Sequence, residues 1–126
     1  MIVDSSALLA LVFREPGHEG IRHALSSAEI VAVGSPTLTE TGIVLEARLG
    51  SAAHGLLERL LDEFEIQEAS FGSVHWREAL DGFRRYGKGR HPAALNFGDC
   101  MTYAVARLTG EPLLCVGEDF PRTDLP

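Results

Sequence analysis

Cysteine, lysine and long apolar runs are all scarce in this chain of 126 residues. Its two cysteines, Cys100 and Cys115, show no CxxC spacing, which argues against a structural zinc site. We therefore expect free thiols in a reducing compartment, the cytoplasm. The longest apolar run, 7–13, is far shorter than the roughly 20 residues of a membrane-spanning helix. No basic segment precedes it, so a cleaved secretion signal is not expected.

Basic residues are also few: 11 Lys and Arg stand against 18 Asp and Glu, a formal net charge of −7. Nucleic acid repels such a chain unless its basic residues are clustered or its acids are neutralised by cations. The composition is otherwise that of a globular protein, with 45% apolar and 23% charged residues. The length fits a single domain over 1–126.

Short apolar segments alternate with helical patterns along the whole chain. The predicted strands are 1–3, 30–33, 65–68 and 113–116. The predicted helices are 7–13, 18–28, one from Pro36 or Thr37 to Leu49, about 52–64, 74–86 and one that Asn96 caps and Gly110 ends. Trp76, Leu80 and Phe97 fall on apolar stripes, so we expect them to be buried. The alternation predicts an α/β fold with a short, mainly parallel central sheet flanked by helices.

Four acidic residues stand where strands end or helices begin. Asp4 follows the first strand and Asp119 the last, while Glu40 and Asp99 lie in the first turns of helices. Each position also has a structural explanation: Asp4 can cap a helix, 37–40 and 96–99 can form capping boxes, and 118–119 can be an acidic turn. However, the apolar residues Ile43, Val44 and Ala47 share a helix face with Glu40, which places its carboxylate on an inward face or at its rim.

Taken together, the four acids suggest one site. Parallel strands place Asp4 and Asp119 at the same edge of the sheet, where α/β proteins bind ligands. Gly98, directly before Asp99, indicates close approach of a ligand or another backbone. Crowded carboxylates repel one another unless a cation neutralises them, and hard oxygen donors suit Mg²⁺ or Mn²⁺. Such a site would activate a water for attack on a phosphodiester.

The segments 2–8, 39–40, 96–99 and 117–120 resemble, in order and over essentially the whole chain, the PIN-domain nucleases, above all the VapC-type toxins of bacterial toxin–antitoxin pairs. This resemblance implies a Mg²⁺- or Mn²⁺-dependent endoribonuclease, a homodimer and inhibition by a cognate VapB-type antitoxin. It implies catalytic and metal-binding roles for Asp4, Glu40, Asp99 and Asp119. It also makes Ser6 a supporting hydroxyl, and leaves Glu118 as an alternative to Asp119.

A basic cluster precedes Asp99 and could contact RNA. It consists of Arg84, Arg85, Tyr86, Lys88 and Arg90, with no acid among them. The basic groups could hold phosphates and the tyrosine could stack on a base, although a solvated loop or a contact with an acidic partner is the alternative.

Three rival functions are weighed against this one. A Mg²⁺-binding receiver-like signalling module would fit the length and acidity, but it needs a lysine after a late strand, and Lys88 stands in a glycine-rich loop. A phosphatase of the haloacid-dehalogenase type would need an acid two residues after Asp4, where Ser6 stands. A catalytically inactive binding domain on the nuclease fold is the other alternative, and the presence of all four acids argues against it.

Overall fold

The computed structural model describes residues 1–126 and contains four strands, six α-helices and two 3₁₀ turns. The strands are β1 (Ile2–Val3), β2 (Val31–Gly34), β3 (Ile66–Ala69) and β4 (Leu113–Leu114). The helices are α1 (Ser5–Val12), α2 (His18–Ser27), α3 (Ser35–Leu49), α4 (Leu56–Glu63), α5 (Ser73–Tyr86) and α6 (Phe97–Thr109). The 3₁₀ turns are Gly50–Ala53 and Phe120–Arg122.

All four strands are parallel and lie in the order β3-β2-β1-β4. Ile2 pairs with Ala32 of β2 on one side and with Leu113 of β4 on the other, so β1 lies between these two strands. Because the strands are parallel, the segments that follow β1, β2 and β4 all begin at the same edge of the sheet, its carboxyl edge. The predicted α/β fold with a short parallel sheet is thereby confirmed. That shared edge is where Asp4 and the segment after β4 meet.

The two faces of the sheet bury separate apolar clusters. Val3 packs with α1, α2 and α4, around Leu8, Leu25 and Leu60. Its neighbour Ile2 points the other way and packs on Val105 of α6, as the alternation of side chains along a strand requires. A further cluster joins α5, α6 and the C-terminal segment around Tyr103. Helix α6 therefore packs against β1 on one side and against α5 and the C-terminal segment on the other.

Most element boundaries lie within two residues of those predicted, and two of the differences have a clear backbone cause. The helix expected over 52–64 is interrupted, because Gly55 adopts a left-handed conformation (φ 75°) between the first 3₁₀ turn and α4. The last strand ends at Leu114 rather than at 116, and the chain turns away at Gly117 (φ 100°). No helix of the molecule has both the length and the apolar character that a bilayer crossing requires.

Several apolar side chains expected in the core are on the surface. Trp76 is 50% exposed, Phe97 80% and Ile43 64%, and Leu80 and Ala47 are exposed as well. The prediction that these residues are buried was wrong. Helical periodicity identifies an apolar face, but it does not show whether that face packs within the same chain. Here α3, α5 and α6 turn part of their apolar faces to a common surface.

Candidate functional site

Asp4 lies at the carboxyl end of β1 and is 3% exposed. Its Oδ2 accepts a hydrogen bond from the Ser6 N–H at 3.1 Å, so it caps α1, as the structural explanation from sequence predicted. Its Oδ1 accepts a second hydrogen bond from the Thr102 hydroxyl at 2.7 Å. Both carboxylate oxygens are thus held by hydrogen bonds. Helix capping explains the bond to Oδ2, whereas the bond to Oδ1 joins Asp4 to α6 and has no part in capping.

Thr102 and Thr37 form a buried hydroxyl pair behind Asp4 that sequence analysis missed. Their oxygens are 3.1 Å apart, and both residues are 1% exposed. Because the Thr102 proton goes to Asp4, the Thr37 hydroxyl is the donor between the two threonines. In the sequence, the only indication of this pair is that a threonine stands on an otherwise apolar face of each helix.

Gly34 lets the end of β2 lie close to α6. A β-carbon added at Gly34 would lie 2.9 Å from Val105.

Glu40 lies on the face of α3 that approaches α6. Since α3 begins at Ser35, Glu40 is beyond the first turn and the capping box predicted for 37–40 was wrong. The Glu40 carboxylate lies directly over Gly98, where an added β-carbon would be 2.7 Å from Cδ and 2.8 Å from Oε1. The close approach inferred from Gly98 is therefore made by the carboxylate of a second acid. Glycine at this position makes room for it.

Asp99 forms the capping box predicted for the start of α6. Asn96 Oδ1 accepts from the Asp99 N–H at 2.9 Å, and Asp99 Oδ2 accepts from the Asn96 N–H at 3.0 Å. Burial raises the pKa of Asp99 to about 6 against the lowering effect of the Asn96 bond, and the charges of Asp4, Asp119 and Glu40 raise it further. The negative charges of the other three predicted acids therefore all act on Asp99.

The segment after β4 brings Asp119 and Glu118 to this edge, both of them exposed. The Ser6 hydroxyl accepts a hydrogen bond from the Val116 N–H at 3.0 Å, which ties this segment to the start of α1. Burial raises the pKa of the Cys115 thiol to about 11, and Asp4, Asp119, Glu118 and Asp99 contribute in turn. Cys115 is therefore a neutral neighbour of the acids, and sequence analysis did not associate it with them.

The basic cluster is divided between solvent and protein. Arg84, Lys88 and Arg90 are exposed, and the Arg90 guanidinium lies 5.3 Å from the centre of the Phe83 ring. Arg85 is exposed too, but its guanidinium donates a hydrogen bond to Asp124 in the C-terminal segment at 3.1 Å.

Tyr86 is half-buried, and its ring meets His91 edge-on at 5.0 Å. Arg122, which sequence analysis did not include, donates to the Pro92 carbonyl at 3.4 Å and so adds a positive charge beside the loop.

The acids form an oxygen-only donor set without a protein counter-ion. None of Asp4, Glu40, Asp99 and Asp119 has a Lys, Arg or His nitrogen within salt-bridge distance. In this arrangement no three acidic, His or Cys side chains close on a single point as metal ligands do. The structure therefore contains no preformed cluster of metal ligands. Carboxylate oxygens without a cationic partner are the type of donor that hard divalent cations prefer.

Comparisons with known proteins support one family. The PIN domain family matches residues 1–125. A VapC ribonuclease of Mycobacterium bovis and ribonuclease VapC36 of Mycobacterium tuberculosis are each 51% identical to the chain over 126 residues, covering 99% of it and 91% of the relative. Ribonuclease VapC30 of M. tuberculosis is 37% identical over 99% of the chain and 95% of its own length.

A solved structure has the same fold. The crystal structure of M. tuberculosis VapC20, described as a sarcin-ricin loop cleaving toxin, aligns with a TM-score of 0.80 at 20% identity. The alignment covers 99% of this chain and 95% of that one. At this identity the likeness bears on the fold alone. Neither the family nor this structure supports the receiver-like module or the phosphatase considered from sequence.

Proposed function

The chain belongs to the PIN-domain family, with VapC ribonucleases as its relatives, and we propose that it is a metal-dependent endoribonuclease acting as the toxin of a VapBC-type pair. The observation that carries the proposal is that the Glu40 carboxylate lies over Gly98, beside Asp99, where the charges of Asp4 and Asp119 also act. The substrate is RNA and the reaction is hydrolysis of phosphodiester bonds. A catalytically inactive binding domain would have no need of four unpaired carboxylates in one place.

Asp4 and Asp99 are the principal metal ligands in this proposal, and Glu40 and Asp119 complete the set directly or through water. The support is that these carboxylates have no cationic partner in the protein and that hydroxyl and N–H donors hold both oxygens of Asp4. Mg²⁺, or Mn²⁺ in its place, supplies charge neutralisation and an activated water when bound. We place Asp119 as the fourth acid, because its charge is among those that raise the pKa of Asp99, and Glu118 beside it is the alternative.

The chain's own groups orient this chemistry. Thr37 and Thr102 fix one oxygen of Asp4, and the capping box fixes one oxygen of Asp99, so each acid presents its remaining lone pairs in one direction. Ser6 supports the site by holding the backbone that leads from β4 to Asp119. Preorganised groups of this kind lose little freedom when substrate binds, which is a general source of catalytic rate.

RNA contact is assigned to the basic cluster at the end of α5 and in the loop that precedes α6. Arg84 in the last turn of α5 and Lys88 and Arg90 in the loop present exposed charges, and Arg122 lies against the same loop. Arg85 is exposed but paired with Asp124, and Tyr86 is half-buried against His91, so we give these two sequence candidates a supporting part in RNA contact. Phosphate contacts would hold the RNA while the acids act on one linkage.

We propose a homodimer formed through the exposed apolar surface of α3, α5 and α6. This dimer surface consists of Ile43, Trp76, Leu80, Phe97 and Met101. It contains two adjoining grooves of about 470 and 370 Å³, both lined by Phe97 and Met101. Large apolar side chains that cluster on the surface, as Trp76 and Phe97 do here, are enriched at protein–protein interfaces. Because Glu40 and Gly98 line the first groove, a second copy would border the acidic site.

The remaining partners follow from the proposed function. A VapB-type antitoxin would inhibit the enzyme by covering the acidic site. Its binding should protect the site acids from metal and RNA at the same time. The free thiols of Cys100 and Cys115 are compatible with a reducing compartment, and we place the protein in the cytoplasm.

Cleavage of total cellular RNA by the purified, partner-free protein tests the function. The assay compares wild type with Asp99→Asn, each with Mg²⁺ or with EDTA. Asp62→Asn serves as a charge-matched control. Asp62 lies at the end of α4 and shares a groove with Val31, the first residue of β2, so it is at the amino ends of the strands and away from the four acids. Discrete cuts that require both Mg²⁺ and Asp99 but not Asp62 would support the proposal. Absence of cleavage by folded wild-type protein with any divalent metal would overturn it.

A further inference from the structure

The C-terminal segment is held by a hydrogen bond from the buried side chain of Tyr103. Tyr103 is 0% exposed on α6, and its ring occupies the space left by Gly82 in the middle of α5. A β-carbon at position 82 would lie 2.7 Å from Tyr103 Cε1. Glycine inside a helix costs about 1 kcal/mol relative to alanine. Gly82 therefore destabilises α5 as a helix, but it leaves the space that the Tyr103 ring needs.

The Tyr103 hydroxyl emerges at the last residues of the chain. It donates to Asp124 Oδ1 at 2.8 Å, and Arg85 Nη2 donates to Asp124 Oδ2 at 3.1 Å. Arg107 Nε lies 3.6 Å from the same carboxylate. Burial opposes the charge, but the hydrogen bond from Tyr103 and the Arg85 guanidinium outweigh it and lower the pKa of Asp124. Two helices therefore hold one ionised carboxylate of the C-terminal segment.

This bond connects the two parts of the chain that supply Asp99 and Asp119. Tyr103 is four residues after Asp99, on the same face of α6. Asp124 is five residues after Asp119, with the second 3₁₀ turn and buried Phe120 between them. The Asp119 side chain makes no hydrogen bond of its own, so its place depends on how its segment is held.

We propose that Tyr103 and Asp124 are positioning residues that hold Asp119 at the acidic site. The inference rests on the proposed function, in which Asp119 helps to bind the metal. Neither residue contacts the reacting atoms. Their loss should weaken binding of the divalent cation and leave the rate at saturating metal close to that of wild type.

The experiment measures cleavage as a function of Mg²⁺ for Tyr103→Phe, Asp124→Ala and Asp124→Asn, with Mn²⁺ titration by calorimetry as a second readout. We expect Tyr103→Phe and Asp124→Ala to raise the half-saturating Mg²⁺ concentration about fivefold, as for loss of one hydrogen bond, with kcat nearly unchanged. Asp124→Asn keeps an acceptor for Tyr103 and should recover part of the loss. Thr109→Val removes a hydroxyl that bonds only within the end of α6 and its connection to β4, and should change nothing.

Amide hydrogen exchange of residues 117–123 gives a readout that does not depend on activity. The proposal requires faster exchange there in Tyr103→Phe and Asp124→Ala than in wild type or Thr109→Val. Unchanged exchange and unchanged metal affinity would overturn it, as would a loss of kcat with no change in metal affinity. If wild type neither cuts RNA nor binds Mn²⁺, the proposed function fails. The exchange rates still decide whether the Tyr103–Asp124 hydrogen bond holds the segment that carries Asp119.

Discussion

The carboxylate of Glu40 occupies the space that a side chain at position 98 would need. A β-carbon on Gly98 would lie 2.7 Å from Glu40 Cδ. Gly98, which precedes Asp99 on α6, therefore leaves the space that the Glu40 carboxylate of α3 occupies. This relationship connects a local feature of the sequence, a glycine near the start of a helix, to the assembly of the site.

Gly98→Ala should reduce cleavage at least tenfold with little change in stability. The new methyl group displaces the flexible end of Glu40, while alanine favours the helix by up to about 1 kcal/mol. Gly20→Ala is the matched control, because Gly20 is also helical and has nothing within 4 Å of an added β-carbon. Cleavage rates and thermal unfolding of both variants test this. Wild-type activity in Gly98→Ala would show that the position of Glu40 is unimportant.

Asp99→Asn should stabilise the metal-free protein at neutral pH. Because the pKa of Asp99 is raised to about 6, the folded state binds more protons than the unfolded state between about pH 4 and pH 6, and stability falls as pH rises through that range. Asparagine can keep the hydrogen bond from the Asn96 N–H and removes this loss, which we put at about 1–2 kcal/mol above pH 7 after allowing for solvent screening. Urea unfolding in EDTA at several pH values measures it. Parallel curves for the two proteins would contradict the prediction.

The basic cluster at the end of α5 and in the following loop should determine the salt dependence of RNA binding. Replacing both Arg84 and Lys88 with alanine should weaken binding and reduce the slope of log K against log salt by about 0.7 for each phosphate that the variant no longer neutralises. Arg22→Ala is the control, because Arg22 pairs with Glu63 at the other edge of the sheet. Binding is best measured with Asp99→Asn as the background, so that RNA is not cut. An unchanged slope would assign the loop to another partner.

Phe97→Asp should convert a dimer into a monomer. Phe97 is 80% exposed at the centre of the dimer surface, and a buried carboxylate there would have no partner. Light scattering during size-exclusion chromatography gives the mass directly. Leu108→Asp is a control for adding a charge to exposed apolar surface, since Leu108 is 45% exposed near the other end of α6. A wild-type monomer at all concentrations would assign the surface to a different occupant.

The sequence was most informative where the evidence is local. Parallel strands, the capping box at Asp99 and the position of Asp4 follow from short segments whose physics depends on near neighbours. The Thr37–Thr102 pair and the Tyr103–Asp124 bond join residues 65 and 21 positions apart, and a single sequence does not show such pairings. Trp76 and Phe97 were misplaced for a related reason, because an apolar stripe looks the same whether it packs inside the chain or forms an exposed surface.

Calorimetric titration of the metal-free protein with Mn²⁺ tests most directly whether the four acids form one metal site. Wild type and Asp62→Asn should bind with the same affinity, and Asp99→Asn and Asp119→Asn should each bind at least tenfold more weakly. Release of protons near pH 6 should accompany binding to wild type, because Asp99 gives up its proton to become a ligand. Identical isotherms for wild type and Asp99→Asn, or no binding to folded wild type, would contradict the assignment of the site.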